Sequence, residues 1–140
     1  MPESPTVHFE FKRTGARFRL VYENGDSEQL ALTSVGPDLY RMDESSFAGN
    51  AVYRDVIRTR VMADGALLFV EIAEHSTLTT QSFILSAETL PTERIQSILN
   101  RVMEAGGMWE QAFGGVLIVH TPAGVAESIG REITHNASKG

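Results

Sequence analysis

The sequence predicts an α+β domain. Antiparallel β-hairpins make up most of it, with an N-terminal half able to curl into a small barrel. A β-α-β-β-α unit with two helices on one face follows. Three observations predict this. Apolar residues alternate around glycine-containing turns as far as residue 86. Asp64-Gly65, between two apolar-rich runs, is the strongest hairpin signal in the chain. From Ile95 the apolar period becomes helical. Strands and helices do not alternate throughout, which excludes a doubly wound nucleotide fold.

Taken in order, Val7–Arg13 and Ala16–Leu20 form a hairpin about Thr14-Gly15, with Phe11 opposite Phe18 and Phe9 opposite Leu20. A three-residue loop at Asn24-Gly25-Asp26 then sets Leu20 opposite Leu30 and Phe18 opposite Leu32, which keeps the apolar side chains on one face. Gly36-Pro37-Asp38 is a turn before the short strand Leu39–Met42. Asp43–Asn50 reads as a loop anchored by Phe47, and it is the longest connection of the first half. A two-residue turn at Asp64-Gly65 pairs Val61 with Leu68, Thr59 with Val70, Ile57 with Ile72, Arg60 with Phe69 and Arg58 with Glu71. A further strand runs from Thr79 to Ser86.

Ile95, Ile98, Leu99, Val102 and Met103 make the stripe of a helix that begins at Pro91-Thr92 and stops at Gly106-Gly107. Met108–Phe113 and Val116–Thr121 form a hairpin across Gly114-Gly115, placing Trp109 opposite His120. Thr121-Pro122 opens a second helix, with Val125, Ile129 and Ile133 inward and Glu127–Arg131 paired on its surface. The expected organisation is one domain over 1–140. Its β-rich part covers about 6–86, its β-α-β-β-α part about 79–134, and 135–140 is a frayed tail.

Composition narrows the function. The chain has 140 residues, 42% of them hydrophobic, and a net charge of −6. Residues 1–70 hold eight Lys and Arg against ten Asp and Glu, and residues 71–140 hold four against eight. Neither half is basic, so no nucleic-acid partner is expected. The absence of cysteine removes thiol chemistry and thiolate-bound metal, and fits a reducing compartment. The start, Met1-Pro2-Glu3-Ser4-Pro5, lacks a basic-then-apolar pattern, and no apolar run is long enough to span a bilayer. A cytoplasmic location without membrane contact is expected.

The chemistry-bearing residues are sparse. Gly106-Gly107 and Gly114-Gly115 match no phosphate-binding pattern and read as a helix stop and a turn. His8, His75, His120 and His135 show no ligand spacing, so neither a metal nor another cofactor is expected. His75-Ser76-Thr77 sets hydroxyls beside an imidazole, with Glu74 or Asp55 as a conceivable third member. The simpler reading is a turn held by hydroxyl-to-backbone bonds. Trp109 and His120 would form an aromatic platform with a titratable edge, or merely a packed sheet pair. Lys12, Arg13, Arg17 and Arg19 suggest either an anion patch or a solvated, protected edge. The candidate ligand-binding set is therefore His75, Ser76, Thr77, Trp109 and His120, with no catalytic residue assigned.

Three stretches carry a resemblance. They are Leu39-Tyr40-Arg41-Met42-Asp43 through Phe47 to Asp55-Val56-Ile57; Asp64-Gly65-Ala66-Leu67-Leu68-Phe69 with His75-Ser76-Thr77; and the late helix, hairpin and Pro122 helix start. Together, over roughly Leu30 to Ile133, the chain resembles a family of short bacterial proteins known as domain-of-unknown-function family 4265. It departs from that pattern at Ser46, where the family places proline, and at Arg54, where it places glycine before aspartate. The resemblance implies a small soluble bacterial domain and carries over no catalytic residue. The expected function is a binding, interaction or regulatory module without catalytic activity, acting as a homodimer or on a protein partner. The alternatives are a small hydrolase-like enzyme using the His75/Ser76 region, and an immunity-type protein.

Overall fold

The computed structural model describes residues 16–139. They divide into two compact units, residues 16–76 and residues 77–139. The expected strand Val7–Arg13 and its Thr14-Gly15 turn, with Lys12 and Arg13, lie outside the described residues.

The first unit is a five-strand meander: β1 (Ala16–Val21), β2 (Ser27–Gly36), β3 (Leu39–Met42), β4 (Val56–Val61) and β5 (Leu67–Glu74). Each strand pairs antiparallel with the next, and the sheet closes on itself in a ring. With five strands alternating in direction, the first and last run the same way, so the closing seam must be parallel. It is short: Leu20 pairs with Leu67 and Val21 with Leu68. Leu20, Leu30, Leu32, Met42, Ile57 and Leu67 fill the interior, with Phe18, Tyr40, Phe69 and Ile72 packed against them.

The turns differ in register from expectation. At the first, Tyr22 N–H donates to Asp26 O and Gly25 N–H to Tyr22 O, with Gly25 at φ +94. The loop is therefore Glu23-Asn24-Gly25, one residue earlier than expected. Phe18 pairs with Leu30 and Leu20 with Glu28, a slide of two residues. An even slide leaves the apolar set on the same face. The turn before β5 repeats this design. Met62 N–H donates to Ala66 O, Gly65 N–H to Met62 O, and Gly65 sits at φ +90. The loop thus has three residues instead of two. Val61 pairs with Leu67, Arg60 with Leu68 and Thr59 with Phe69, correcting the expected partners of all three. A bulge leaves Val70 unmatched and restores the expected Ile57–Ile72 and Arg58–Glu71 pairs, the latter an exposed ion pair of 2.9 Å.

The 43–55 loop is pinned by its polar residues. Phe47, expected as its anchor, is 50% exposed. Asp43, Glu44, Ser45, Ser46 and Asp55 are buried instead. Asp43 accepts from Thr33 Oγ1 at 2.5 Å, and Glu44 from Ala31 N–H at 2.7 Å. Ser45 Oγ accepts from Tyr53 N–H at 3.0 Å, and Asp55 from Val52 N–H at 2.9 Å. Ser45 and Asp55 thus satisfy amides of the irregular backbone itself, while Asp43 and Glu44 tie the loop to β2.

The second unit is a three-stranded antiparallel sheet in the order β6-β8-β7, with two helices. Its elements are β6 (Thr79–Ile84), α1 (Glu93–Glu104), β7 (Met108–Ala112), β8 (Val116–Thr121) and α2 (Ala123–Lys139). Thr92 caps α1, accepting from Ile95 N–H. Gly106, at φ +90, ends the helix as Gly107 N–H donates back to Val102 O. Ile95, Ile98, Leu99 and Val102 are buried as the stripe predicts. In α2, Ala126, Ile129 and Ile133 are buried, and Glu127 pairs with Arg131 at 2.9 Å. Two readings of α2 are corrected. The helix continues through residues 134–139, and the Thr121 hydroxyl is buried without a hydrogen-bond partner, so it does not cap. No described helix is long and apolar enough to cross a membrane.

Candidate functional site

The expected site residues do not come together as a set. His75 and Ser76 belong to the first unit, and Thr77, Trp109 and His120 to the second. His75 is exposed just past β5. Asp55 Oδ1 accepts from Ser76, but from its backbone N–H at 2.6 Å. That bond holds the turn and does not activate the hydroxyl. Arg17 reaches Glu44 and Arg19 reaches Asp64, each at 3.0 Å, so the chain's own carboxylates neutralise these two arginines.

The β7–β8 register is one residue off expectation. Phe113 is in the turn at φ +53, followed by Gly114 at φ +76, and Ala112 pairs with Val116. Trp109 therefore faces Val119, and His120 faces Met108. Side chains alternate across a sheet, so this slip separates Trp109 from His120. Trp109 shares a face with Val119 and Gln81, and Gly130 of α2 lies directly against the Gln81 side chain. Trp109 thus packs on the helix-covered face and is 4% exposed. His120 points to the other face, with Thr80 and Glu110.

These three residues form a buried relay. Thr80 is the cross-strand partner of His120, and Glu110 is its diagonal neighbour on β7. Thr80 Oγ1 lies 2.9 Å from Nδ1, and Glu110 Oε2 lies 2.5 Å from Nε2. His120 is fully buried and Glu110 is 5% exposed. In the tautomer that carries its proton on Nε2, the ring donates to Glu110 and Nδ1 accepts from the Thr80 hydroxyl. This is the hydroxyl–imidazole–carboxylate order that general-base activation of an alcohol requires.

A second feature lies at the opposite end of the same sheet. Ile84 is 86% exposed and Phe113 is 83% exposed. Ile84 and Ala112 flank Val116 on adjacent strands, and Phe113 follows Ala112. Two strand spacings separate them, roughly 10 Å. Between α1 and α2 lies an open groove of about 500 Å³, lined by Arg94, Ser97, Arg101 and Glu132 among others. Its Arg101 is already paired with Glu132 at 2.6 Å. Among the described residues no cluster of three or more His, Asp or Glu could hold a metal ion.

No family model matches the chain, and no curated protein matches it. Among solved structures, the chain is similar to the "novel crystal structure of a hypothetical protein from Neisseria gonorrhoeae". The two are 16% identical, with a TM-score of 0.57, over 87% of this chain and 90% of that one. At that identity the likeness shows a shared α+β fold and nothing of its chemistry.

Proposed function

We propose that the chain is a small cytoplasmic interaction module of bacterial type that associates with a second copy of itself through Phe113 and Ile84. The conformation of Phe113 carries this reading. A bulky L-residue at positive φ is an outlier, and local strain of this kind concentrates at functional positions. Phe113 takes φ +53 and is 83% exposed, so the strained turn offers a large apolar surface that a partner can cover. The adjoining segments Ser82–Ala87 and Gln111–Val116 contain no charged residue. On a chain of net charge −6, that tip is where a second copy meets least repulsion. In a two-fold contact each Phe113 would meet the other copy's Ile84. These side chains cover roughly 300 Å² per copy, well below the ~800 Å² of a standard interface, so the dimer is weak. Sedimentation analysis from 10 µM to 1 mM should show mass rising with concentration; a strict monomer at 1 mM refutes the reading.

Arg54 supports the family resemblance as part of this proposal. It takes φ +77 at the position where family 4265 places glycine, the residue suited to that conformation.

The Thr80–His120–Glu110 relay favours a second reading, a hydrolase, and favours it at this location over His75/Ser76. Thr80 Oγ1 would add to an ester carbonyl carbon as its proton passes to Nδ1. The departing alkoxide would retrieve that proton, and water would then release the acid and restore the hydroxyl. Turnover of p-nitrophenyl acetate that Thr80→Val abolishes supports it. A rate equal to buffer, or one unchanged in Thr80→Val, removes it.

A further inference from the structure

Glu28, on β2 opposite Leu20, is a half-buried carboxylate that accepts four hydrogen bonds. Its Oε2 accepts from the Tyr22 hydroxyl at 2.5 Å and from the Ser46 hydroxyl. Its Oε1 accepts from the consecutive amides of Phe47, at 3.1 Å, and Ala48, at 3.4 Å. Successive N–H groups converging on one oxygen form a concavity suited to an anion. Burial, and then the neighbouring Glu28, push the Tyr22 phenol's pKa up, so this hydroxyl remains a donor throughout the neutral range.

The cradle holds its shape by bonds that do not involve Glu28. Ser46 N–H donates to Ala51 O, Gly49 N–H to Ser46 Oγ at 2.7 Å, and Tyr53 N–H to Ser45 Oγ. Gly49 lets the loop rest on the Tyr22 ring, since a Cβ there would stand 2.6 Å from Cε1. The donors are thus preorganised, and the site borders solvent: Phe47 and Ala48 are exposed and Glu28 is only half-buried. A preformed set of donors does not require its carboxylate to be tethered.

We propose that Tyr22 and the Ser46–Ala48 loop form a binding site for one small carboxylate, kept occupied by the side chain of Glu28. A ligand carboxylate enters only by displacing Glu28, which makes Glu28 a built-in competitor.

Glu28→Ala deletes the Cγ methylene and the carboxylate, a fragment of acetate size, and so tests the site with acetate itself. Acetate should raise the melting temperature of Glu28→Ala saturably, by roughly 4 °C at ~100 mM for a Kd of ~10 mM. Sodium chloride at equal ionic strength should not, and the wild type should respond alike to both salts. Adding Ser46→Ala should abolish the acetate response. If Glu28→Ala is unfolded in chloride, folding driven by acetate is the equivalent positive result. Equal responses to acetate and chloride, or acetate stabilising the wild type as much as Glu28→Ala, overturn the proposal. So does a chain that stays unfolded in both salts.

Discussion

Phe113→Asn should loosen self-association while strengthening the fold. Fully burying a phenylalanine side chain is worth about 1.5–3 kcal/mol. Phe113 is 83% exposed, so a partner that covers it recovers about 1.2–2.5 kcal/mol per side chain. A two-fold dimer contains two such rings, so the substitution removes about 2.5–5 kcal/mol. At ~1.4 kcal/mol per tenfold change, Kd rises between about 50-fold and a few thousand-fold. The isolated chain behaves oppositely. The left-handed conformation costs a non-glycine residue roughly 1–2 kcal/mol, and asparagine tolerates it better than phenylalanine. The sixth of the residue that is buried offsets only about 0.3–0.5 kcal/mol of that relief. The net gain of around 0.5–1 kcal/mol corresponds to a melting temperature higher by roughly 1–4 °C. Sedimentation equilibrium and thermal unfolding at micromolar concentration measure the two effects separately. A melting temperature several degrees lower, with the association constant unchanged, would show that the fold itself needs Phe113 and would refute the reasoning.

Three further outcomes are expected. Glu110→Ala leaves a buried His120 ring N–H without its acceptor and should cost about 1–3 kcal/mol in urea unfolding, whereas Glu110→Gln, which keeps an acceptor, should cost clearly less. Equal losses would contradict the geometry. Gly49→Ala drives a Cβ against the Tyr22 ring and should cost about 1–3 kcal/mol, while Gly65→Ala, whose Cβ meets nothing within 4 Å, should lose only the ~1–2 kcal/mol of left-handed strain. The Ala66 N–H, and then Arg19, hold the Asp64 carboxyl below its ordinary 3.8. A depressed carboxylate adds stability that is present in full above pH 3.8 and is lost as pH falls through the lower folded value. The urea-midpoint gap between wild type and Asp64→Asn should therefore be constant from pH 7 to about 5 and close in more acidic solution; a gap that widens there reverses the sign.

The fold was legible because facing depends on the parity of the register. Leu20, Leu30 and Leu32 fall inside the ring although their pairing slides by two, since an even slide changes no side. The β4–β5 hairpin needed an odd correction. Asp64-Gly65 reads as a two-residue turn, yet Ala63 joins the loop and shifts the β5 partners of Val61, Arg60 and Thr59 by one residue. The bulge at Val70 then adds the missing residue back. Composition does not announce a bulge, because its cost is shared by the whole ladder. The 43–55 loop illustrates a related blindness. Phe47 reads as the loop's anchor, but an irregular segment has amides to satisfy, and the side chains of Ser45 and Asp55 satisfy them from within while Asp43 and Glu44 bind β2.

The relay was less legible because it requires two registers at once. His120 stood out as a titratable residue on a strand, but its neighbours depend on where the β7–β8 turn begins. Placing the turn at Gly114-Gly115 keeps Phe113 in β7 and puts Trp109 beside His120. The structure spends Phe113 on the turn, at an angle a bulky residue rarely takes, and this single step exchanges Trp109 for Met108 and Glu110 on the face of His120. Thr80 demanded more. β6 pairs with β8, not with β7, so its hydroxyl reaches the imidazole across forty residues that include a helix and a strand. No local spacing encodes that neighbour; only the strand order does. The same displaced residue leaves its ring in water at the end of the sheet. The turn that assembles Glu110 with His120 is thus also the turn that exposes Phe113, and a substitution that moved Phe113 back into the strand would alter both features together.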